Sequence, residues 1–176
     1  MILPDIFSEN AIQNLGQIKF MSLPENWKED RRIAAIRADS FLTWYHPPEN
    51  HGVTIGFFFR GRRAGRLASR NFHELLSLPP HSLTAAELQS LTEVLDDSAD
   101  PVEFTMQSAT IEWLNRRHVL VVQGVYVRAQ QGSRTIYIDA DGTGSAIQEV
   151  YYAAPEAQFS VYLPQALEAF TSIKWL

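Results

Sequence analysis

Cysteine is absent from the 176-residue sequence. Its absence excludes disulfide bonds and thiolate metal sites, and it fits a reducing compartment. Long apolar runs are also missing, since no stretch approaches the ~18 residues that a membrane-spanning helix needs. Residues 1–7 lack the basic region of a secretory signal peptide and meet Pro4 and Asp5 at once. We therefore expect a soluble, cytoplasmic protein without a membrane span.

Lysine is scarce, with three residues against twelve arginines, and acidic residues outnumber basic ones by 20 to 15. The resulting net charge of -5 argues against a general nucleic-acid binder. The hydrophobic fraction of 45% and the charged fraction of 20% are ordinary for a globular chain. At this length we predict a single domain, residues 1–176, with a sizeable core.

Motifs of common catalytic sites are missing as well. The sequence has no Gly-x-Ser-x-Gly elbow, no Gly-Lys-Ser/Thr phosphate loop and no His-Glu-x-x-His pair. His46 and His51 flank a proline-rich loop and can approach each other, but two ligands do not make a metal site. We therefore predict no cofactor, no metal and no enzymatic activity.

Residues 139–144 resemble the first half of a calcium loop. The twelfth position of such a loop requires a bidentate glutamate, and here it is Val150. A two-residue hairpin turn at Asp141 and Gly142 explains the same residues, so we expect no calcium site.

Three titratable residues in the central region are the candidates for an enzyme, namely Glu112, His118 and Glu149. Strand pairing across a turn at residues 115–117 could bring Glu112 near His118. A surface pair between neighbouring strands explains this pattern equally well.

Residues 105–152 contain the clearest structural pattern, which is four strands joined by tight turns. Val119 and Val121 alternate with Leu120 and Val122. A strand that is apolar on both faces is usually covered on both faces. The sequence therefore predicts an α+β fold, in which an antiparallel meander is sandwiched between helices.

The meander carries further local signals. Phe104 and Met106 alternate in one phase, whereas Ile111 and Trp113 alternate in the other, and this change predicts a bulge near residues 108–109. Turns are expected at residues 115–117, 130–133 and 141–142.

Helices are predicted before and after the meander. Thr84 stands three residues before Glu87, which is a capping box for a helix over residues 84–96. A last helix is expected to start at Pro155, and Pro164 would kink or divide it. Upstream we predict a short helical piece at 6–15, a strand at 17–23, a hairpin of 33–44 with 53–59, a basic connection at 60–70 and a helix at 72–78.

Two stretches resemble the PsbP-like proteins and their DcrB-like relatives. Residues 20–27 (Phe-Met-Ser-Leu-Pro-Glu-Asn-Trp) are similar to the opening strand and loop of that superfamily. The helix after Pro155 and the closing residues 172–175 (Ser-Ile-Lys-Trp) are similar to its end. The resemblance implies an antiparallel sheet between helices. It also implies a non-catalytic accessory role in binding protein assemblies, such as photosystem II in one branch and the GTPase Ran in another.

One segment is strongly basic and contains no acidic residue. Clustered guanidinium groups favour carboxylate or phosphate partners, so we predict a contact surface for an acidic protein partner. A solvated connection balanced by nearby acidic residues is the alternative. The segment comprises Arg60, Arg62, Arg63, Arg66 and Arg70.

The sequence thus favours a non-catalytic accessory or protein-interaction module. The alternative is a protein that binds a small ligand in an aromatic pocket between the sheet and the last helix. That pocket would be lined by Phe57, Tyr126, Tyr137 and Phe159.

Overall fold

The computed structural model of the protein describes residues 10–30 and 41–176, without the side chains of residues 41 and 60–63. Four helices and eleven strands are found within these ranges. In chain order they are β1 (Ala11–Leu15), β2 (Ile18–Ser22), β3 (Lys28–Asp30), β4 (Phe41–His46), β5 (Thr54–Arg63), α1 (Arg66–Leu76), β6 (His81–Ser82), α2 (Ala85–Ser90), α3 (Thr92–Leu95), β7 (Phe104–Leu114), β8 (Arg117–Tyr126), β9 (Gln131–Asp139), β10 (Ala146–Pro155), α4 (Glu156–Thr171) and β11 (Lys174–Trp175).

The strands form two sheets. Eight of them lie in the order β3-β4-β5-β10-β9-β8-β7-β6, and β1, β2 and β11 form a small second sheet. Every pairing is antiparallel. The predicted meander is confirmed as β7 to β10. The predicted hairpin of 33–44 with 53–59 is confirmed where β4 pairs with β5, and its residues 33–40 lie outside the described ranges.

A hydrophobic core lies on each face of the large sheet. Val119 and Val121 join α4 and the small sheet in one core. Leu120 and Val122 join α1, α2 and α3 in the other. The alternation in β8 therefore places consecutive residues in opposite cores, and the predicted α+β fold with a covered sheet is confirmed.

Local signals in the meander were confirmed in part. The register of β7 with β8 shifts between Met106 and Ser108, where a bulge was predicted. The predicted turn at 130–133 is wrong, because β9 already begins at Gln131 and the turn precedes it. The predicted two-residue turn at 141–142 is also wrong, because a six-residue loop, residues 140–145, joins β9 to β10.

Helix and strand limits differ from several predictions. The basic connection at 60–70 is instead the end of β5 followed by the first turn of α1. The helix expected at 84–96 is divided into α2, α3 and a 3-10 turn at Asp96–Ala99, although its capping box is present. The helical piece expected at 6–15 is strand β1 from Ala11 onward, and its earlier residues lie outside the described ranges.

The end of the chain closes the small sheet. Pro155 is the N-cap of α4 rather than its first residue, and the helix continues through Pro164 to Thr171. The next residues form β11, which pairs with β2. Among the helices that the structure describes, none is both long and apolar enough to span a membrane.

Candidate functional site

The five predicted arginines lie near one end of the large sheet. Arg63 is opposite Ala146, the first residue of β10. Arg66 and Arg70 lie on one face of α1 and line a shallow groove of about 600 Å³ against the loop of residues 140–145. Arg70 is paired with Glu74 at 2.7 Å, so a local acidic residue already meets part of its charge.

The predicted aromatic pocket does not exist as one cavity, because its four residues lie on opposite faces of the sheet. Phe57 and Phe159 pack in the core beneath α4. Tyr126 and Tyr137 lie on the other face, where they line a cavity of about 210 Å³ beside the end of α3. Alternation within one strand shows which residues share a face of that strand. It does not show which faces of different strands coincide, because that depends on the register between the strands.

The proposed approach of Glu112 to His118 is also wrong. The register places His118 opposite Trp113 and Glu112 opposite Val119, so the two titratable side chains point to opposite faces. His118 Nδ1 lies 2.7 Å from the backbone oxygen of Leu76. Glu112 instead accepts a hydrogen bond from Arg134 at 3.2 Å.

The histidines of the proline-rich loop do approach each other. The rings of His46 and His51 stack with centroids 4.0 Å apart. Over residues 10–30 and 41–176, no group of three or more histidine, aspartate or glutamate side chains is arranged to hold a metal ion.

The carboxylates of the calcium-like loop are engaged within the protein. Asp141 accepts hydrogen bonds from the Ser145 hydroxyl at 2.7 Å and from the Thr143 backbone N–H at 3.0 Å. Burial raises the pKa of Asp141, but these hydrogen bonds outweigh it and hold the pKa well below the ordinary value. Asp139 is hydrogen-bonded to Gly142 and lies 3.1 Å from His73. The expectation of no calcium binding stays a prediction, and these contacts are a physical reason for it.

An open groove of about 1190 Å³ lies where the β7–β8 turn meets β11. We call it the basic aromatic groove. None of its described lining residues has an acidic side chain, and three of them are cationic. The lining residues are Phe20, Trp113, Asn115, Arg116, Arg117, Thr171, Ser172, Ile173, Lys174, Trp175 and Leu176.

A two-residue turn forms one wall of the groove. Asn115 and Arg116 both have positive φ, at 48° and 71°, which suits the tight turn of a twisted hairpin. Asn115 Nδ2 donates to the backbone oxygens of Thr171 at 2.8 Å and Ile173 at 2.7 Å. The turn is therefore tied to the end of α4, and Arg116 is held at the exposed rim.

Cations lie over aromatic rings inside the groove. The Arg117 guanidinium is 5.2 Å from the centroid of the Trp175 ring, and Lys174 Nζ is 5.3 Å from that of Phe20. Trp175 Nε1 donates to the Leu114 backbone oxygen at 2.9 Å, which fixes the ring. Burial lowers the pKa of Arg117, and Asp139 opposes the shift, so the guanidinium remains charged at neutral pH.

Trp113 is the exposed anchor of the groove. Its side chain is 59% exposed and meets His118 edge-on at 4.6 Å. A large exposed aromatic group beside cations is typical of protein contact surfaces, where tryptophan and arginine carry much of the binding energy. The groove can therefore bind an apolar side chain and neighbouring negative charges.

Sequence reasoning missed this groove because its residues come from three distant segments. Residues 115–117 predict only a turn, and residues 172–175 predict only a closing segment. One local signal was available, since Trp113 stands two residues before an Asn-Arg-Arg turn and a hairpin end is exposed.

No family model and no curated protein matches the chain. The solution structure of cyanobacterial PsbP (CyanoP) from Synechocystis sp. PCC 6803 matches with a TM-score of 0.50 at 7% identity, over 93% of this chain and 95% of that one. The chain has a PsbP-like fold.

That fold confirms the resemblance expected from the two ends of the sequence. The crystal structure of LpqN, involved in cell envelope biogenesis of Mycobacterium tuberculosis, matches with a TM-score of 0.43 at 10% identity, over 88% of this chain and 81% of that one. At such identities a shared fold does not carry functional residues from one protein to another.

Proposed function

We propose that the protein is a non-catalytic accessory protein that docks an acidic segment of a protein partner in the basic aromatic groove. The observation that carries the proposal is a single open groove lined by the exposed Trp113 and by Arg116, Arg117 and Lys174, with no acidic side chain among the described lining residues. Opposite charge guides the encounter and excludes basic partners. The PsbP-like fold agrees with the accessory role that the sequence resemblance implied.

The groove supplies binding groups of two kinds. Arg116 and Lys174 are exposed and can meet carboxylates, whereas Trp113 offers apolar area. Arg117 and Trp175 are held by hydrogen bonds before any partner arrives, so little side-chain entropy is lost on binding.

The arginine segment extends this proposal along the same end of the sheet. β5 ends there at Arg63 and α1 begins there at Arg66, while Arg117 donates to the backbone oxygen of Asp139 just before the adjoining loop. We place the segment at the margin of the contact, with the groove at its centre.

A photo-crosslinking experiment tests the groove. p-Benzoylphenylalanine replaces Thr171, an exposed lining residue, or Val161, an exposed residue of α4 that does not line the groove. The protein is irradiated in an extract of its source cells, and cross-linked peptides are identified by mass spectrometry. We expect acidic peptides linked from position 171 and not from position 161.

The same experiment is repeated with Trp113→Ala combined with Arg116→Glu, which should abolish the cross-links from position 171. Arg128→Glu combined with Val161→Ala is the matched control, because both residues are exposed and lie outside the groove. Cross-links that persist in the groove variant, or that carry no excess of acidic residues, would refute the proposed docking.

The alternative of a small-ligand binder has one supporting observation. The cavity of about 210 Å³ beside α3 contains the tyrosine rings of residues 126, 137 and 151 together with Glu149. Its volume lies below the ~300 Å³ at which ligand pockets usually begin, so we place this function second. Native mass spectrometry of the purified protein should find no bound small molecule if the ranking is right.

A further inference from the structure

A surface with the opposite chemistry to the groove lies at the other end of the same hairpin. We call it the acidic ridge, and it comprises Asp97, Asp100, Val102 and Val127. Both aspartates are exposed. Val102 is 65% exposed and Val127 is 47% exposed, so the ridge offers apolar area as well as negative charge.

The ridge has a defined local structure. Asp100 Oδ1 accepts a hydrogen bond from the Val102 backbone N–H at 2.8 Å. The Val127 backbone N–H donates to the Glu103 oxygen at 2.9 Å, which joins the two parts of the ridge. Arg128 is the neighbouring cation, and it is paired with Glu103 at 3.0 Å, so it leaves the aspartate charges in place.

The ridge and the groove cannot meet within one molecule. The ridge adjoins Phe104 at the start of β7, whereas the groove contains Trp113 near the end of that strand. Phe104 and Trp113 are nine positions apart along the strand, which separates the two ends by roughly 30 Å. Contact between them must therefore join two copies of the chain.

We propose that the basic aromatic groove of one molecule docks the acidic ridge of a second copy. Asp97 and Asp100 meet Arg116 and Lys174, and Val102 packs against Trp113. This inference rests on the proposed function of the groove, and it names the acidic segment as one that the chain itself carries. Charge and apolar area match on both sides, which is the complementarity that a specific contact needs.

Such a contact is heterologous, because different surfaces of the two copies meet. Each added molecule leaves one groove and one ridge open, so assembly continues as an open chain unless the rotation closes it into a ring. The mass of the assembly should therefore rise with protein concentration rather than stop at a dimer.

Complementary variants test the proposal by sedimentation velocity. The groove variant carries Trp113→Ala and Arg116→Glu, and the ridge variant carries Asp97→Lys and Val102→Ser. Each variant alone should be monomeric, because each lacks one of the two surfaces. An equimolar mixture still contains one intact ridge and one intact groove per pair, so it should form a dimer and nothing larger.

The matched control for the ridge variant is Glu156→Lys with Val161→Ser, which makes the same kinds of change at exposed positions of α4 and should assemble like the unaltered protein. Circular dichroism checks that each variant is folded. An unaltered protein that stays monomeric at every concentration, or a mixture that stays monomeric while the unaltered protein assembles, would overturn the inference. Neither result affects the cross-linking of a different acidic partner, which tests the groove separately.

Discussion

Gly132 lies beneath the ring of Phe159, which in turn stacks on Tyr152 at 5.0 Å. A Cβ atom at Gly132 would lie 2.5 Å from Phe159 Cδ2 and 2.7 Å from its Cγ. We predict that Gly132→Ala lowers the free energy of unfolding by about 1–3 kcal/mol, because the ring must move out of a packed position. Urea denaturation measures the change.

Two further variants identify the cause of that loss. Combining Gly132→Ala with Phe159→Ala should cost less than the sum of the single changes, since alanine at position 159 lacks the Cγ and Cδ2 atoms that clash. Gly142→Ala is the control, because nothing lies within 4 Å of its Cβ position and its φ of +73° makes the strain purely local. Additive losses at positions 132 and 159 would contradict the packing explanation.

Tyr151 is expected to make the stability of the protein depend on pH in alkaline solution. Burial raises the pKa of its phenol from 10.0 to about 12, with smaller contributions from Glu149 and Tyr126. Between these pH values the unfolded chain binds fewer protons than the folded one. The protonated Tyr151 phenol therefore makes its full contribution to the free energy of unfolding below pH 10. This contribution is lost as the pH rises toward 12.

We expect Tyr151→Phe to reduce the loss of stability over that pH range by on the order of 2 kcal/mol. Thermal unfolding at a series of pH values measures the slope. An unchanged slope in the variant would show that this phenol titrates no later in the folded protein than in the unfolded one.

Single residues also show where local sequence signals mislead. Glycine is common in turns, so Gly132 predicted one, whereas the strand needs glycine there to accommodate Phe159. Alternation in β8 predicted the faces of Val119 to Val122 correctly, because each face has its own core. The strand conformation at Gly132 depends on a contact with Phe159, which is distant in sequence. The faces of β8 follow from its own residues alone.

The start of α2 is predicted correctly from the sequence, because its capping box is present. The Thr84 hydroxyl accepts from the Glu87 N–H at 3.3 Å, and the Glu87 carboxylate accepts from the Thr84 N–H at 2.7 Å. Thr84→Ala should lower the free energy of unfolding by about 1 kcal/mol, and Thr84→Ser should retain most of it. Equal losses in chemical denaturation of both variants would argue against a capping role.

Other element limits could not be predicted because they lack local signals. α1 begins after Gly65, which makes no side-chain cap, so its first turn went unnoticed. β5 continues to Arg63 because β10 pairs with it, although arginine is no strong strand former. The break before α3 is hidden in the sequence, since Leu88, Leu91 and Leu95 still pack in one core.

At the scale of the whole molecule, the groove lay beyond sequence reasoning. Phe20, Trp113 and Trp175 are brought together only by the pairing of β2 with β11 and by the tie from Asn115 to the end of α4. The fold itself was predictable, because meander strands are neighbours in sequence and their apolar pattern repeats over short distances.

Because the groove and the ridge carry opposite charges, we expect the assembly of copies to depend on salt concentration. If the groove of one copy binds the ridge of another, raising the ionic strength from about 0.05 M to about 0.5 M should weaken assembly, because exposed charges are screened. Sedimentation at both salt concentrations measures the effect. Assembly that strengthens with salt would indicate a purely apolar contact and would contradict the role of the arginine and aspartate side chains.

The pairing of β11 with β2 has a consequence for synthesis of the protein. Lys174 lies opposite Phe20, so the ribosome must translate more than one hundred and fifty further codons before this pair can form. The meander can fold earlier, since its partners are close along the chain. Chains that stop before Lys174 therefore lack β11 and the groove wall that it forms, and they should not bind the acidic partner.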